Sequence, residues 1–75
     1  MTIIVIGAGK VGFRIARQLV QESHDVVLID IDTERLEPAR EVLDAMTIQG
    51  NGAAPKVLER AGIENADMVI AVTGR

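Results

Sequence analysis

The chain has 75 residues and a net charge of -3, which allows one small domain and argues against nucleic acid as its main partner, since phosphate backbones attract clustered lysine and arginine. It has no cysteine, which excludes disulfides and cysteine-ligated metal sites and suits a cytoplasmic protein. No apolar run approaches the roughly 18 residues that span a bilayer, so we expect no direct membrane insertion.

The first predicted element is a β-branched, apolar strand over residues 2–6, typical of a strand that is buried on both faces. It runs directly into Gly7, Gly9 and Gly12, which have Gly-x-Gly-x-x-Gly spacing. In this pattern the first glycine permits a tight turn, the second lets a pyrophosphate approach the backbone, and the third lets the next helix pack closely. That helix is predicted to begin at Lys10, with its free N–H groups facing the phosphates.

The helix and a second strand complete a βαβ unit. The helix is predicted over residues 10–22, and a second apolar strand over residues 26–30 ends in Asp30. Asp30 lies 18 positions after Gly12, close to where a dinucleotide site places the carboxylate that accepts ribose hydroxyls. We therefore predict dinucleotide binding. The predicted apolar face of the helix comprises Val11, Ile15, Ala16, Leu19 and Val20.

The second half of the chain continues the alternation of helices and strands. Asp32 is predicted to cap a short turn over residues 33–36. Pro38 is then expected to break the segment and to begin a helix that runs to about Asp44. The remaining predicted elements are a short edge strand over 46–49, a flexible loop over 50–52, a helix from Pro55 to Gly62 and an apolar strand over 68–72.

These elements predict an α/β, Rossmann-like parallel sheet with strand order 3-2-1-4 and flanking helices. The fourth strand is then an edge strand made of apolar residues, which favours association with a further segment. We expect residues 1–75 to be the amino-terminal part of a larger doubly wound, Rossmann-type nucleotide-binding domain.

Five segments, taken in order, resemble one particular family and are more specific than the glycine motif of a generic dinucleotide site. They lie at 6–12, 24–30, 49–53, 57–67 and 69–74. The chain is similar along its whole length to the N-terminal nucleotide-binding (KTN or RCK) domain of Trk-type potassium-uptake regulatory proteins. It departs from the family pattern at Pro38, and at Ser23, where glycine usually precedes the His-Asp pair.

The resemblance implies a regulatory domain that is not an enzyme. Such a domain binds NAD(H), or alternatively ATP or ADP, and passes its bound state to a membrane potassium transporter subunit. It further implies a homo-oligomer in the full-length protein and a cytoplasmic position at the inner face of the membrane. One alternative is the cofactor half of an NAD-dependent dehydrogenase, and another is a folding or assembly unit that binds nothing tightly.

The resemblance also implies a set of ligand contacts, with no catalytic residue and no metal ligand. The glycine loop contacts the pyrophosphate, Asp30 the ribose, and Asn51 with Gly52 the adenine. Lys10 is equally well explained as a phosphate contact or as a solvated residue, and Asp32 better as a helix cap than as a ligand contact. The candidate cofactor-binding residues are Gly7, Ala8, Gly9, Lys10, Val11, Gly12, Asp30, Asn51, Gly52, Thr73 and Gly74.

Overall fold

The computed structural model describes residues 1–72 and contains a four-stranded, all-parallel sheet. Its strand order is β3-β2-β1-β4, which confirms the predicted fold class and topology. A short 3₁₀ turn at Ile63–Asn65 precedes the last strand. The elements are β1 Thr2–Ile6, α1 Lys10–Gln21, β2 Asp25–Asp30, α2 Thr33–Val42, β3 Met46–Gln49, α3 Pro55–Arg60 and β4 Met68–Ala71.

The two faces of the sheet have separate apolar cores, because successive side chains of a strand point to opposite faces. Ile3 and Val5 of β1 pack with buried residues of α1 and α2 on one face. Ile4, between them, packs on the other face with residues of α3 and the 3₁₀ turn. Burial on both faces explains why the central strands are apolar without interruption.

Pro38 lies inside α2, so the predicted break in this segment is wrong. Proline has no N–H to donate to the carbonyl of Glu34, one turn earlier, and costs about 3 kcal/mol in a helix interior. However, Leu36 and Ala39 are both completely buried against the sheet, on either side of Pro38. Burying Leu36 contributes about 1.5–3 kcal/mol and Ala39 adds to it, so continuing the helix offsets the cost of the proline.

We expect Pro38→Ala to raise the free energy of unfolding by about 1–2 kcal/mol, measured by urea denaturation. Alanine restores the missing donor and removes the clash, although it also increases the entropy of the unfolded chain. Pro55→Ala is the matched control, because Pro55 is the first residue of α3, where the N–H has no helical partner. A gain in stability from Pro55→Ala but none from Pro38→Ala would contradict this explanation.

Ser23, in the turn between α1 and β2, has a φ of +70°. This left-handed conformation favours glycine, because a Cβ atom makes it less stable. Serine therefore adopts this turn at some cost, whereas glycine would adopt it freely.

β4 forms one edge of the sheet, as predicted, and it exposes apolar side chains. Met68 is 44% exposed and Val69 is 42% exposed. Among residues 1–72, no helix has the length and apolar character required to cross a bilayer.

Candidate functional site

An open cleft of about 560 Å³ lies at the carboxyl ends of the strands. Parallel α/β sheets bind ligands at the carboxyl ends of their strands, and the volume of the cleft lies within the range of small-molecule sites. The cleft is lined by Ile6, Gly7, Gly9, Lys10, Val11, Gly12, Ile29, Asp30, Ile31, Arg35, Gly50, Asn51, Gly52 and Val72.

Close backbone contacts hold the glycine loop against the sheet. Gly7 has a φ of +110°, and a Cβ atom on it would lie 2.1 Å from the carbonyl oxygen of Val72. A Cβ atom on Gly12 would lie 1.7 Å from the carbonyl oxygen of Gly7. Both glycines are therefore required for the turn off β1 and for the close packing of α1, as the sequence predicted.

The amino terminus of α1 faces the cleft and is open to an anion. Gly9 is the residue that precedes the helix, and no side chain accepts a hydrogen bond from the first turn as a cap. The first turn also contains no acidic residue. A Cβ atom on Gly9 would meet nothing within 4 Å, so the space in front of the loop is free. Unpaired N–H groups and the helix dipole make this position suitable for phosphate.

Asp30, at the end of β2, is buried beside the glycine loop and is hydrogen bonded at both carboxylate oxygens. Oδ2 accepts a hydrogen bond from the backbone N–H of Ala8 at 2.8 Å. Oδ1 accepts one from the backbone N–H of Asp32, also at 2.8 Å. A carboxylate has about four lone-pair positions, so each oxygen keeps the capacity to accept a ribose hydroxyl. Asp30 thus joins two loops and also offers acceptors to the cleft.

Asp32 and Arg35 extend the charged group around Asp30. Asp32 accepts a hydrogen bond from the N–H of Glu34 at 2.9 Å, which confirms its role as the cap of α2. The guanidinium of Arg35 lies 4.0 Å from Asp30 Oδ2 and 3.9 Å from Asp32 Oδ2. Sequence analysis did not select Arg35, although its spacing of three residues from a helix cap indicates a shared helix face.

Asn51 and Gly52 form the opposite wall of the cleft. The side-chain oxygen of Asn51 accepts a hydrogen bond from the N–H of Ala53 at 2.9 Å, which holds the loop in a turn. A Cβ atom on Gly52 would lie 2.4 Å from a methyl carbon of Ile6. Gly52 therefore lets this loop approach the end of β1.

The structure brings most candidate residues to one cleft but changes the interpretation of two. Val11 is 57% exposed and lines the cleft, so its predicted place on the buried face of α1 is wrong. The cause is its position in the first turn, which projects beyond the end of β1. Ala8 is buried and its N–H is directed to Asp30 rather than to the cleft. Thr73 and Gly74 lie outside the described residues.

Outside the cleft, neither a metal site nor a catalytic histidine stands out among the described residues. Within residues 1–72, no group of three or more His, Asp or Glu side chains could hold a metal ion. His24 lies at the start of β2, at the end of the sheet remote from the cleft, where its Nδ1 is 3.2 Å from the amino-terminal nitrogen of Met1. Its side chain is partly buried.

The fold and the cleft define a Rossmann-type α/β domain with the features of a nucleotide site. Residues 3–75 match the TrkA-N domain, and the chain belongs to this family. The family resemblance found in the sequence is therefore confirmed.

Several relatives carry the same name. The chain is 48% identical over 73 residues to the Trk system potassium uptake protein TrkA of Azorhizobium caulinodans, covering 97% of this chain and 16% of that protein. It is 44% identical over 75 residues to a TrkA homolog of Pyrococcus abyssi, covering 100% of this chain and 33% of that protein. The chain thus spans one third or less of these relatives.

A solved structure of another activity shares the fold. N5-carboxyaminoimidazole synthetase from Staphylococcus aureus, complexed with ADP, aligns with a TM-score of 0.73 and 27% identity. The alignment covers 93% of this chain and 18% of that one. The same local architecture therefore occurs in proteins with different roles.

Proposed function

We propose that this domain is an NAD(H)-binding sensor of a potassium uptake system. The observation that carries the proposal is the combination, in one cleft, of an uncapped helix amino terminus and a buried carboxylate. The first suits a pyrophosphate and the second suits ribose hydroxyls. Membership of the TrkA-N family supports the connection to potassium uptake.

The binding mode we propose follows the order of groups along the cleft. The pyrophosphate lies at the open space in front of Gly9, near the ammonium group of Lys10. The adenosine ribose lies at Asp30, and the adenine points toward Asn51 and Gly52. Each group of the ligand thus meets a complementary part of the chain. The pyrophosphate meets N–H donors, the ribose meets a carboxylate acceptor, and the adenine meets the loop of Asn51 and Gly52.

ATP and ADP remain the alternative ligands, because they share the adenosine and the adjacent phosphates with NAD(H). In the proposed binding mode, the cleft residues meet the part that these ligands have in common.

The domain is proposed to act by binding alone, without catalysis. A ligand changes a conformational equilibrium when it binds one state more tightly than the other, and a partner that senses this equilibrium is then regulated. We propose a membrane potassium transporter subunit as that partner, a homo-oligomeric full-length protein, and a location on the cytoplasmic side of the membrane.

A thermal-shift titration with NADH, NAD, NADPH, ATP and ADP tests the proposal. A ligand at 100 times its dissociation constant adds about 2.7 kcal/mol to the free energy of unfolding, which is a shift of roughly 10 °C or more in a domain of this size. We expect NADH to stabilise the protein and NADPH to stabilise it less, since a 2′-phosphate meets the charge of Asp30.

Gly9→Ala is the control variant, because its methyl group enters the free space before the helix without touching the protein. We expect it to fold and to lose the response to nucleotide. Equal responses to ATP and NADH would assign the site to adenine nucleotides in general. The absence of any response in the wild type would overturn the proposed function.

A further inference from the structure

Three charged side chains, those of Asp30, Asp32 and Arg35, lie together between the end of β2 and the start of α2. Asp30 is buried at the floor of the cleft, whereas the side chain of Arg35 is 57% exposed. The guanidinium lies 4.0 Å from Asp30 Oδ2 and 3.9 Å from Asp32 Oδ2. Hydrogen bonds between ions are usually about 2.7–2.9 Å long, so Arg35 is attracted to both carboxylates without being fixed to either.

We propose that Asp32, by attracting the Arg35 guanidinium, sets how strongly the cleft rejects a 2′-phosphate on the adenosine ribose. This inference rests on the proposed nucleotide function and adds to it the discrimination between two classes of dinucleotide. The ligand class is the 2′-phosphorylated dinucleotide, as opposed to the dinucleotide with a free 2′-hydroxyl.

Arg35 is the cation best suited to a phosphate at this position. Among the cleft-lining residues described, only Lys10 and Arg35 are basic, and Lys10 lies at the other side, at the start of α1. A guanidinium offers a planar fork of donors that matches a phosphate, and the high exposure of Arg35 lets it move. The side chain thus has two competing partners, the two carboxylates already present and a 2′-phosphate brought by a ligand.

Asp32 is the carboxylate that can be varied in this competition, because Asp30 also accepts hydrogen bonds from the backbone N–H groups of Ala8 and Asp32. With Asp32 charged, its carboxylate competes with a 2′-phosphate for the Arg35 guanidinium. When the charge of Asp32 is removed, Arg35 balances Asp30 and is free to pair with the phosphate. The geometry therefore makes Asp32 a positioning residue that acts through Arg35.

The test compares the dissociation constants of NADPH and NADH in the purified protein, measured by fluorescence and by displacement of bound NADH. Asp32→Asn removes the charge but keeps the cap, because asparagine caps a helix as well as aspartate does. We expect the ratio of the NADPH constant to the NADH constant to fall about fivefold, the effect of one unit charge near 4 Å in water.

Two further variants separate the mechanism from its alternatives. Arg35→Gln is expected to raise the ratio about fivefold, for the same electrostatic reason. In the Arg35→Gln background, Asp32→Asn is expected to change the ratio less than about twofold, since its effect passes through Arg35. Glu34→Gln is the matched control, because it removes one acid from the same exposed helical turn outside the cleft.

The outcomes distinguish the inference from the function on which it rests. If NADH binds and neither variant changes the ratio, the inference is overturned and the function stands. An equal effect of Asp32→Asn with and without Arg35 would overturn the positioning role, since Asp32 would then repel the phosphate directly. If the wild type binds neither dinucleotide, both the function and the inference fail.

Discussion

Gly12→Ala is expected to lower the free energy of unfolding by about 3 kcal/mol or more, measured by urea denaturation without ligand. The new Cβ atom would lie 1.7 Å from the carbonyl oxygen and 2.7 Å from the carbonyl carbon of Gly7, and backbone atoms cannot rotate away as a side chain can. Helix α1 must shift, which disturbs the packing of Ala16, a completely buried residue. A domain of this length has a total stability of about 4–11 kcal/mol, so the change removes much of it.

Gly9→Ala is the internal comparison, since it makes the same substitution three residues earlier. Gly9 has a φ of -68°, and a Cβ atom there meets nothing within 4 Å. We expect its unfolding free energy to change by less than about 1 kcal/mol, mainly through a slightly weaker helix start. If the two variants had equal stability, the close contact between α1 and the glycine loop would be wrong.

Asp30→Ala is expected to lower the free energy of unfolding by about 3 kcal/mol even in the absence of nucleotide. The N–H of Ala8 and the N–H of Asp32 would both lose a charged acceptor, and each such hydrogen bond contributes about 1.5–3 kcal/mol. Removing the buried charge returns part of this cost, so the two contributions do not add fully. Urea denaturation of the ligand-free protein measures the effect.

Asp25→Ala provides the matched control, because Asp25 is the exposed first residue of the same strand. We expect it to change stability by less than about 0.5 kcal/mol. Asp30→Asn should fall between the two, since an amide offers one acceptor oxygen in place of two. Wild-type stability in ligand-free Asp30→Ala would show that the carboxylate serves a ligand only and does not join the loops.

The strand order and the turn off β1 could be predicted because their causes are local in the sequence. A continuous β-branched run indicates a strand buried on both faces, and strands that alternate with helices follow right-handed crossovers. The spacing of Gly7 and Gly12 likewise predicted that the backbone requires glycine at both positions. These features need no knowledge of distant residues.

Pro38 and Val11 were predicted wrongly because their surroundings are tertiary. Helix propensity alone ends a helix at Pro38, and only the burial of Leu36 and Ala39 against the sheet explains why α2 continues. Periodicity alone places Val11 with the core residues of α1. Its exposure follows from the length of β1, which ends before it can cover the first turn of the helix.

Most residues of the candidate site were predicted, but the hydrogen bonds and ion pairs that connect them were not. The sequence indicated Asp30 as an acceptor for a ligand, but not that its oxygens hold Ala8 and Asp32. Ala8 is 22 positions away from Asp30, and no periodic pattern relates the two residues. Arg35 was missed for a similar reason, because its place depends on how α2 leaves β2.

The central position of β1 has a consequence for how the chain folds during its synthesis. β1 leaves the ribosome first, yet it pairs with β2 on one side and with β4 on the other. Thr2 and Asp67, 65 positions apart, exchange two hydrogen bonds of 2.8 Å. One side of this apolar strand therefore stays unpaired until β4 has been translated. Closure over such a distance is slow, which makes the nascent chain more dependent on chaperones than a helical domain of this length.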